Sequence, residues 1–508
     1  MKKKSTLVKF AMAALCLALT VISVKVDAQQ ARYKMTTDIP ASITTPDVVE
    51  TSLGTLRFFD GFPDEATVQK VYDNLDFQRG VQAFLTCMPA ASAYAFRTGL
   101  RTFGPDNQTV LISESLVDAR NLFLTGNTET IYNITWLDTH DGPLVIEIPA
   151  GVLGVIDDIW FHYVTDIGPL GPDKGNGGKF LLLPPGYAGD IPDGYFVLPS
   201  DTYGHWCFFR VFIESGGNMA TAVEYAKKNY RAYPLKLAAN PPAMNFINVS
   251  GKFINTIHSN NFLFYNEVYE VIQDEPLNSV DPEVRGLLSA IGIQKGKPFA
   301  PDARMTRILT DAAAFGNATA RAIDFSTRDK DAYYYPNSAW KTIFIGNDFT
   351  FSPGGVLDPD ARTFYYYMAT GSSPAWVDKM IGQLSQYIVT EHDAAGQYLD
   401  GGKNYHLRLP PNIPAKRFWS LLVYDPQTRS MLQTDQSFPS ISSLKKGVII
   451  NPDSSVDVWF GPKPPASKEA NWVQTVPGKG WWLMLRIYGP LEPWFDKTWK
   501  PGEIELIK

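Results

Sequence analysis

Two arginines stand inside otherwise apolar runs: Arg210 in Trp206-Cys207-Phe208-Phe209-Arg210-Val211-Phe212-Ile213, and Arg486 in Trp481-Trp482-Leu483-Met484-Leu485-Arg486-Ile487-Tyr488. A guanidinium keeps its proton, so once buried it needs a carboxylate, carbonyls or a ligand; left unpaired, the charge is strongly destabilising. The partner decides the meaning. An acid of the same chain makes a structural bridge, whereas a ligand carboxylate, phosphate or hydroxyl makes a binding site. Glu129 and Asp166 are the acids expected to act as general base, because a carboxyl group enclosed by rings has its pKa raised toward neutrality. Tyr132, Trp136, Trp160, Trp206, Trp419, Tyr424, Trp459, Trp472, Trp481, Trp482 and Tyr488 cluster on the same strands. Their flat faces with one polar edge suit a small cyclic ligand and equally suit the core of a sandwich.

Common catalytic signatures are absent: there is no G-x-S-x-G turn, no H-E-x-x-H helix, no C-x-x-C pair, no P-loop and no G-x-G-x-x-G opening a helix. The stretch from Gly171 to Lys179 superficially resembles a phosphate loop but precedes a strand instead of a helix, so it reads as a tight turn. The histidines at 140, 162, 205, 258, 392 and 406 form no short metal-ligand motif, and no metal site is assigned. His162, in line with Trp160 and Val164 on an expected strand, reads as a core histidine. Asp157, Asp158, Asp166 and Asp173 read as turn and cap residues. Cys87 and Cys207, the two thiols beyond residue 28, read as separately buried.

Around these groups, the spacing after Asp64 predicts a helical opening. Short apolar runs follow at 131–137, 144–148, 153–164, 180–183, 195–198 and 205–213, as expected of antiparallel strands. Helical spacing occupies 218–230, 262–273, 282–293, 301–325 and 376–390, with an aromatic stretch of irregular or hairpin structure at 333–371 between the last two. Strands return at 405–409, 418–424, 448–451, 456–460 and 481–488. The expected fold class is α+β, mainly β: two antiparallel sandwich or jelly-roll-like lobes with an N-terminal helical segment and a helical middle. The divisions are a signal peptide at 1–28, a lead-in and helical segment at 29–107, a first β lobe at 108–216, a helical middle at 217–395 and a second β lobe at 396–508.

The 508 residues, 45% hydrophobic and 19% charged, can bury large cores without disulfide or metal staples. The first 28 read as a secretory signal: Lys2, Lys3, Lys4 and Lys9, an apolar run from Phe10 to Val24, and a small residue at Ala28. That run is short of the roughly 20 residues needed to span a bilayer, so a mature chain in the periplasm or outside the cell is expected, with no membrane span. Cleavage after Ala28 removes five lysines and one aspartate, leaving 41 basic against 51 acidic residues, a net charge of −10. Nucleic acid is an unsuitable partner for such a surface. The expected partner is a small molecule, self-association into a homo-oligomer is compatible with the sequence, and no cofactor can be named.

Several strings resemble known families. Phe58-Phe59-Asp60-Gly61-Phe62-Pro63, Gly126-Asn127-Thr128-Glu129-Thr130-Ile131-Tyr132, Asp166-Ile167-Gly168 and Gly177 to Tyr187 resemble the bacterial domain of unknown function 1254. Phe418 to Asp425, Asn451 to Ser455, Ala470-Asn471-Trp472 and Leu485-Arg486-Ile487-Tyr488-Gly489-Pro490 are similar to its usual companion, domain of unknown function 1214. The resemblance implies two β-rich lobes and supplies no mechanism. Many members show Asn-Asp-Thr where this chain has Thr128-Glu129-Thr130, so the carboxylate of Glu129 is set differently. The strings mark a shared cleft of Asn127, Glu129, Tyr132, Asp166 and Arg210 from the first lobe, and Trp419, Tyr424, Asp453, Asn471, Trp472, Arg486 and Tyr488 from the second. The reading this favours is an exported envelope hydrolase of a small polar or carboxylated compound, with a non-catalytic small-molecule or carbohydrate-binding protein, or a structural envelope protein, as alternatives.

Overall fold

Both arginine strands read as apolar throughout because each is covered on both faces, which hides the usual alternation of a half-exposed strand. The computed structural model describes residues 34–213 and 218–507; the expected signal peptide lies outside them. The chain divides into two units at Val71. In the first, the lead-in folds into a small antiparallel sheet of Val48–Thr51, Gly54–Phe59 and Phe62–Pro63.

The second unit holds two sheet pairs. A six-stranded sheet runs in the order Asn245–Asn248, Thr109–Ile112, Thr130–Asp138, Gly204–Phe212, Leu153–Asp158, Tyr163–Ile167. A four-stranded sheet of Phe196–Pro199, Gly178–Leu183, Leu144–Ile148 and Arg231–Pro234 covers one of its faces. Ile131, Cys207 and Phe209 from the larger sheet and Ile146, Phe180 and Leu182 from the smaller share one core, which defines a sandwich. The C-terminal pair repeats the plan. Lys341–Thr342, Ser385–Thr390, Trp482–Pro490, Ala415–Tyr424 and Ser440–Ser442 form one sheet, and Trp472–Gln474, Val456–Gly461, Tyr405–Leu409 and Glu505–Leu506 the other. Leu421, Leu485 and Ile487 meet Leu407 and Val458 between them.

The remaining face of each large sheet points into a third core. Tyr132, Trp206 and Phe208 from the first lobe and Tyr387, Tyr424, Trp482 and Met484 from the second meet there, together with helices Met88–Arg101, Leu263–Asp274, Ala303–Phe325 and Pro359–Met368. The architecture is thus α+β, with most strands antiparallel and helices packed between two sandwiches. Among the described residues no helix is long and apolar enough to cross a membrane.

Four expectations change. The 376–390 stretch is no helix: a short 3-10 turn at Pro374–Trp376 is followed by Gly382 at φ 73° and the strand Ser385–Thr390, which pairs with the Arg486 strand. Within 333–371 lies the helix Pro359–Met368, started by Asp358, whose carboxylate accepts from the backbone N–H of Asp360 and Ala361. Residues 448–451 form no strand; Ile449 and Ile450 are exposed. The 153–164 run breaks after Asp158, where Phe161 takes φ 53°, and the turn lifts the His162 side chain out of the core to 67% exposure beside Asp158. The 171–179 turn is as read: Asp173 accepts from the backbone N–H of Gly168 and Gly177. Cys87 and Cys207 are both buried and free.

Candidate functional site

Strand parity decides which side chains meet. On Gly204–Phe212, Trp206, Phe208 and Arg210 face the central core while Cys207 and Phe209 fill the sandwich; on Trp482–Pro490, Trp482, Met484, Arg486 and Tyr488 do the same opposite Leu483 and Leu485. The two strands therefore carry one arrangement, ring, apolar side chain, arginine, toward each other. Arg210 lies in register with Tyr132, and Arg486 with Tyr387 on one side and Ser420 on the other.

Both guanidiniums are buried, at 3% and 4% exposure, and among the described residues neither has an ion-pair partner. Arg210 Nη1 donates to the Tyr387 hydroxyl at 3.4 Å and the Tyr488 hydroxyl at 3.3 Å. Arg486 Nη2 donates to the Tyr424 hydroxyl at 2.8 Å and to the Thr125 carbonyl, and its guanidinium stands 5.2 Å from the Tyr387 ring centre. Nε of each arginine has no hydrogen-bond partner, nor does the indole N–H of Trp206. Between them lies a cavity of about 50 Å³ bordered by Tyr132, Trp206, Phe208, Arg210, Tyr365, Thr370, Trp376, Tyr387 and Arg486. At roughly 10–15 Å³ per water, that is room for several waters or one compact group.

The Gly126-Asn127-Thr128-Glu129-Thr130 string builds one edge of this cluster. The Asn127 side-chain oxygen accepts from the backbone N–H of Glu129 and Thr130, both at 3.1 Å, turning the chain into the strand Thr130–Asp138. The Asn127 amide then donates to the Tyr488 hydroxyl at 2.8 Å, and the Tyr424 hydroxyl donates to the Gly126 carbonyl at 2.7 Å, so the string ties the two lobes together. Glu129 is 5% exposed, bonded to the Thr128 hydroxyl, and does not border the cavity. Burial raises its carboxyl pKa, against the pull of Thr128 and Arg486. Burial likewise pushes the phenols of Tyr132 and Tyr424 up to about 12. Tyr387 is the exception. Burial pushes it up too, but Arg210 and Arg486 outweigh that and bring it below the usual phenol value.

Of the residues expected to share a cleft, Arg210, Arg486 and Tyr132 border the cavity, and Asn127, Glu129, Tyr424 and Tyr488 surround it. The structure does not bring the others in. Asp166 lies on Tyr163–Ile167 and accepts from the Ser373 hydroxyl at 2.5 Å, behind the 369–376 segment that walls the cavity. Trp419 has the opposite parity and fills the sandwich core. Asp453, Asn471 and Trp472 belong to the outer sheet region: Asp453 pairs with Arg408 at 2.6 Å, Asn471 bonds the backbone of Ile449 and Asp457, and the Trp472 indole donates to the Gly461 carbonyl. Tyr387, Trp376, Thr370 and Tyr365 were not anticipated. The β-branched Ile388-Val389-Thr390 after Tyr387 was the available signal.

Residues 107–234 match the family described as protein of unknown function DUF1254, and residues 385–492 match protein of unknown function DUF1214. The chain carries a DUF1254 domain followed by a DUF1214 domain. The DUF1254 domain supplies Asn127, Glu129, Tyr132, Trp206 and Arg210, and the DUF1214 domain supplies Tyr387, Tyr424, Arg486 and Tyr488, so the cavity belongs to neither alone. A crystal structure of the VPA0106 protein from Vibrio parahaemolyticus is similar in fold, with a TM-score of 0.52 at 17% identity over 85% of this chain and 100% of that one. An uncharacterized protein from Burkholderia cenocepacia aligns over 86% of this chain and 96% of that one, with a TM-score of 0.37 and 10% identity. No curated protein matches. Among the described residues no group of three or more His, Cys, Asp or Glu side chains is arranged to hold a metal ion.

Proposed function

We propose that the chamber between the DUF1254 and DUF1214 domains binds the anionic group of a small compound, held by Arg210 and Arg486. One observation carries this: two buried guanidiniums border a cavity, and no carboxylate of the described chain is paired with either. Phenol hydroxyls satisfy part of each fork, joined at Arg486 by a carbonyl, but these leave net positive charge that an incoming carboxylate or phosphate would neutralise. A sugar ring exceeds the chamber, so the carbohydrate alternative has less support.

The hydrolase reading is the catalytic form of the same proposal. With the substrate's acid group on the arginines, proton transfer falls to Tyr387, which borders the chamber between both guanidiniums, and not to Glu129 or Asp166. Thermal-shift titration with acetate, pyruvate and inorganic phosphate tests binding. Stabilisation by at least one of them, lost in both Arg210→Met and Arg486→Met, supports it; no shift with any of the three in a folded wild-type protein refutes it. An ester and amide panel tests catalysis: turnover lost in Tyr387→Phe with binding retained separates an enzyme from a binding protein.

Export to the envelope belongs to this proposal, supported by the basic start, the apolar run and Ala28. N-terminal sequencing of protein from a periplasmic extract should begin at Gln29; recovery of an intact Met1 chain in the cytoplasm would rule it out.

A further inference from the structure

A second, much larger cavity of about 920 Å³ lies on the other side of the chamber wall. The two share the wall residue by residue: Phe161, Tyr366 and Ser372 border the large cavity where Trp206, Tyr365 and Thr370 border the chamber. Its volume is of the size that encloses a whole small-molecule ligand. The lining is mostly apolar and rich in rings, with Trp160, Phe161, Tyr163 and Phe349 on one side and Val284 and Leu287 of the helix Pro282–Ala290 on the other.

One cation stands in this lining. Arg362, on the helix Pro359–Met368, makes no ion pair among the described residues, and its buried Nε has no hydrogen-bond partner. Its neighbours are the Tyr366 phenol and the buried Cys87 thiol, neither an acid of ordinary strength. The acids that do border the cavity are at its rim and exposed: Asp281 caps its own helix through the Glu283 backbone N–H at 2.8 Å, and Glu283 occupies that helix's first turn. His162 is paired with Asp158 at 3.1 Å, whose carboxylate holds the imidazole above its ordinary value.

We propose that this cavity is a separate binding site for a ring-bearing carboxylate, its acid group on Arg362 and its rings among Phe161, Tyr163 and Tyr366. Aromatic faces supply stacking area with little conformational cost, and a partly desolvated guanidinium fixes the polar end by a bidentate contact. The site stands apart from the chamber's function, since it uses neither Arg210 nor Arg486.

Calorimetric titration of the mature chain with 2-naphthoate and its neutral counterpart 2-naphthamide tests the assignment. The wild type should bind the acid at least tenfold more tightly than the amide. Arg362→Gln should lower naphthoate affinity about tenfold, to the level of the amide, without changing amide affinity; Arg362→Lys should keep part of the preference. Leu287→Trp, which fills the cavity, should weaken both ligands, with melting temperatures showing that each variant remains folded. Equal affinity of the wild type for acid and amide, an unaltered preference in Arg362→Gln, or undiminished binding in folded Leu287→Trp would each overturn it.

Discussion

Lys341 and the chamber arginines are buried in contrasting ways. Lys341, 1% exposed, lies 2.8 Å from the Glu391 carboxylate, donates to the Asp324 carbonyl and sits 5.1 Å from the Phe364 ring centre. Its charge is answered within the chain. Arg210 and Arg486 are as deeply buried yet face phenols, a carbonyl and an empty volume. The first arrangement is what structural burial requires; the second is stable only with phenol and carbonyl dipoles in place of an acid, and it leaves an electrostatic demand for a ligand.

The contrast can be broken at each end. The largest effect is expected at Lys341→Met, which leaves the buried Glu391 carboxylate without its lysine and should cost about 3–5 kcal/mol of stability by denaturant unfolding. If instead that variant is as stable as the wild type, the lysine is no structural counterion. Next comes Tyr387→Phe, for which turnover of any substrate found should fall by about two orders of magnitude, the usual worth of a positioned proton-transfer group, while binding persists. Arg486→Met should change stability by no more than about 1 kcal/mol, because lost hydrogen bonds and relieved desolvation oppose each other, but should weaken small-anion binding about tenfold or more by thermal shift.

A last test concerns Asp166. Burial raises its carboxyl from the ordinary value near 3.8 to about 7, with the Ser373 hydroxyl opposing. The fold thus prefers the neutral form, whose contribution is fully present below about pH 4 and lost as pH rises toward 7. Asp166→Asn, neutral throughout, should gain nothing over the wild type at pH 3, where the carboxyl is protonated in both the folded and the unfolded chain, and should be the more stable of the two at pH 8. A gain that is the same at both pH values would show that the carboxyl's ionisation is not what differs.

How much of this could be read in the chain depended on which force set each element. Strands Leu144–Ile148 and Tyr405–Leu409 lie at their expected bounds, because sharp turn residues flank a short run with a clear strand pattern. The arginine pair was legible for a different reason: a guanidinium inside an apolar strand is costly enough to stand out. Tyr387 was hidden. Trp376, Val377, Met380, Ile381, Leu384, Tyr387 and Ile388 recur at helical spacing, and only pairing with the Arg486 strand makes Ser385–Thr390 extended. The reverse happened at Pro359–Met368, where three tyrosines masked a plain start at Asp358-Pro359. Trp419, Asn471 and Trp472 were drawn into the expected cleft because they lie within the family strings, whereas parity and sheet membership exclude them.

Because the arginine-bearing faces of the two domains are covered by one another and by the helices between them, neither domain keeps the property when isolated. A fragment ending near residue 234 would turn Trp206 and Phe208 out to water as a broad sticky sheet, and the C-terminal fragment would do the same with Trp482 and Met484. Proteolytic nicking that lets the halves part should therefore produce aggregates instead of two working modules, and a gene encoding only one of these domains would have to find its missing cover in another polypeptide.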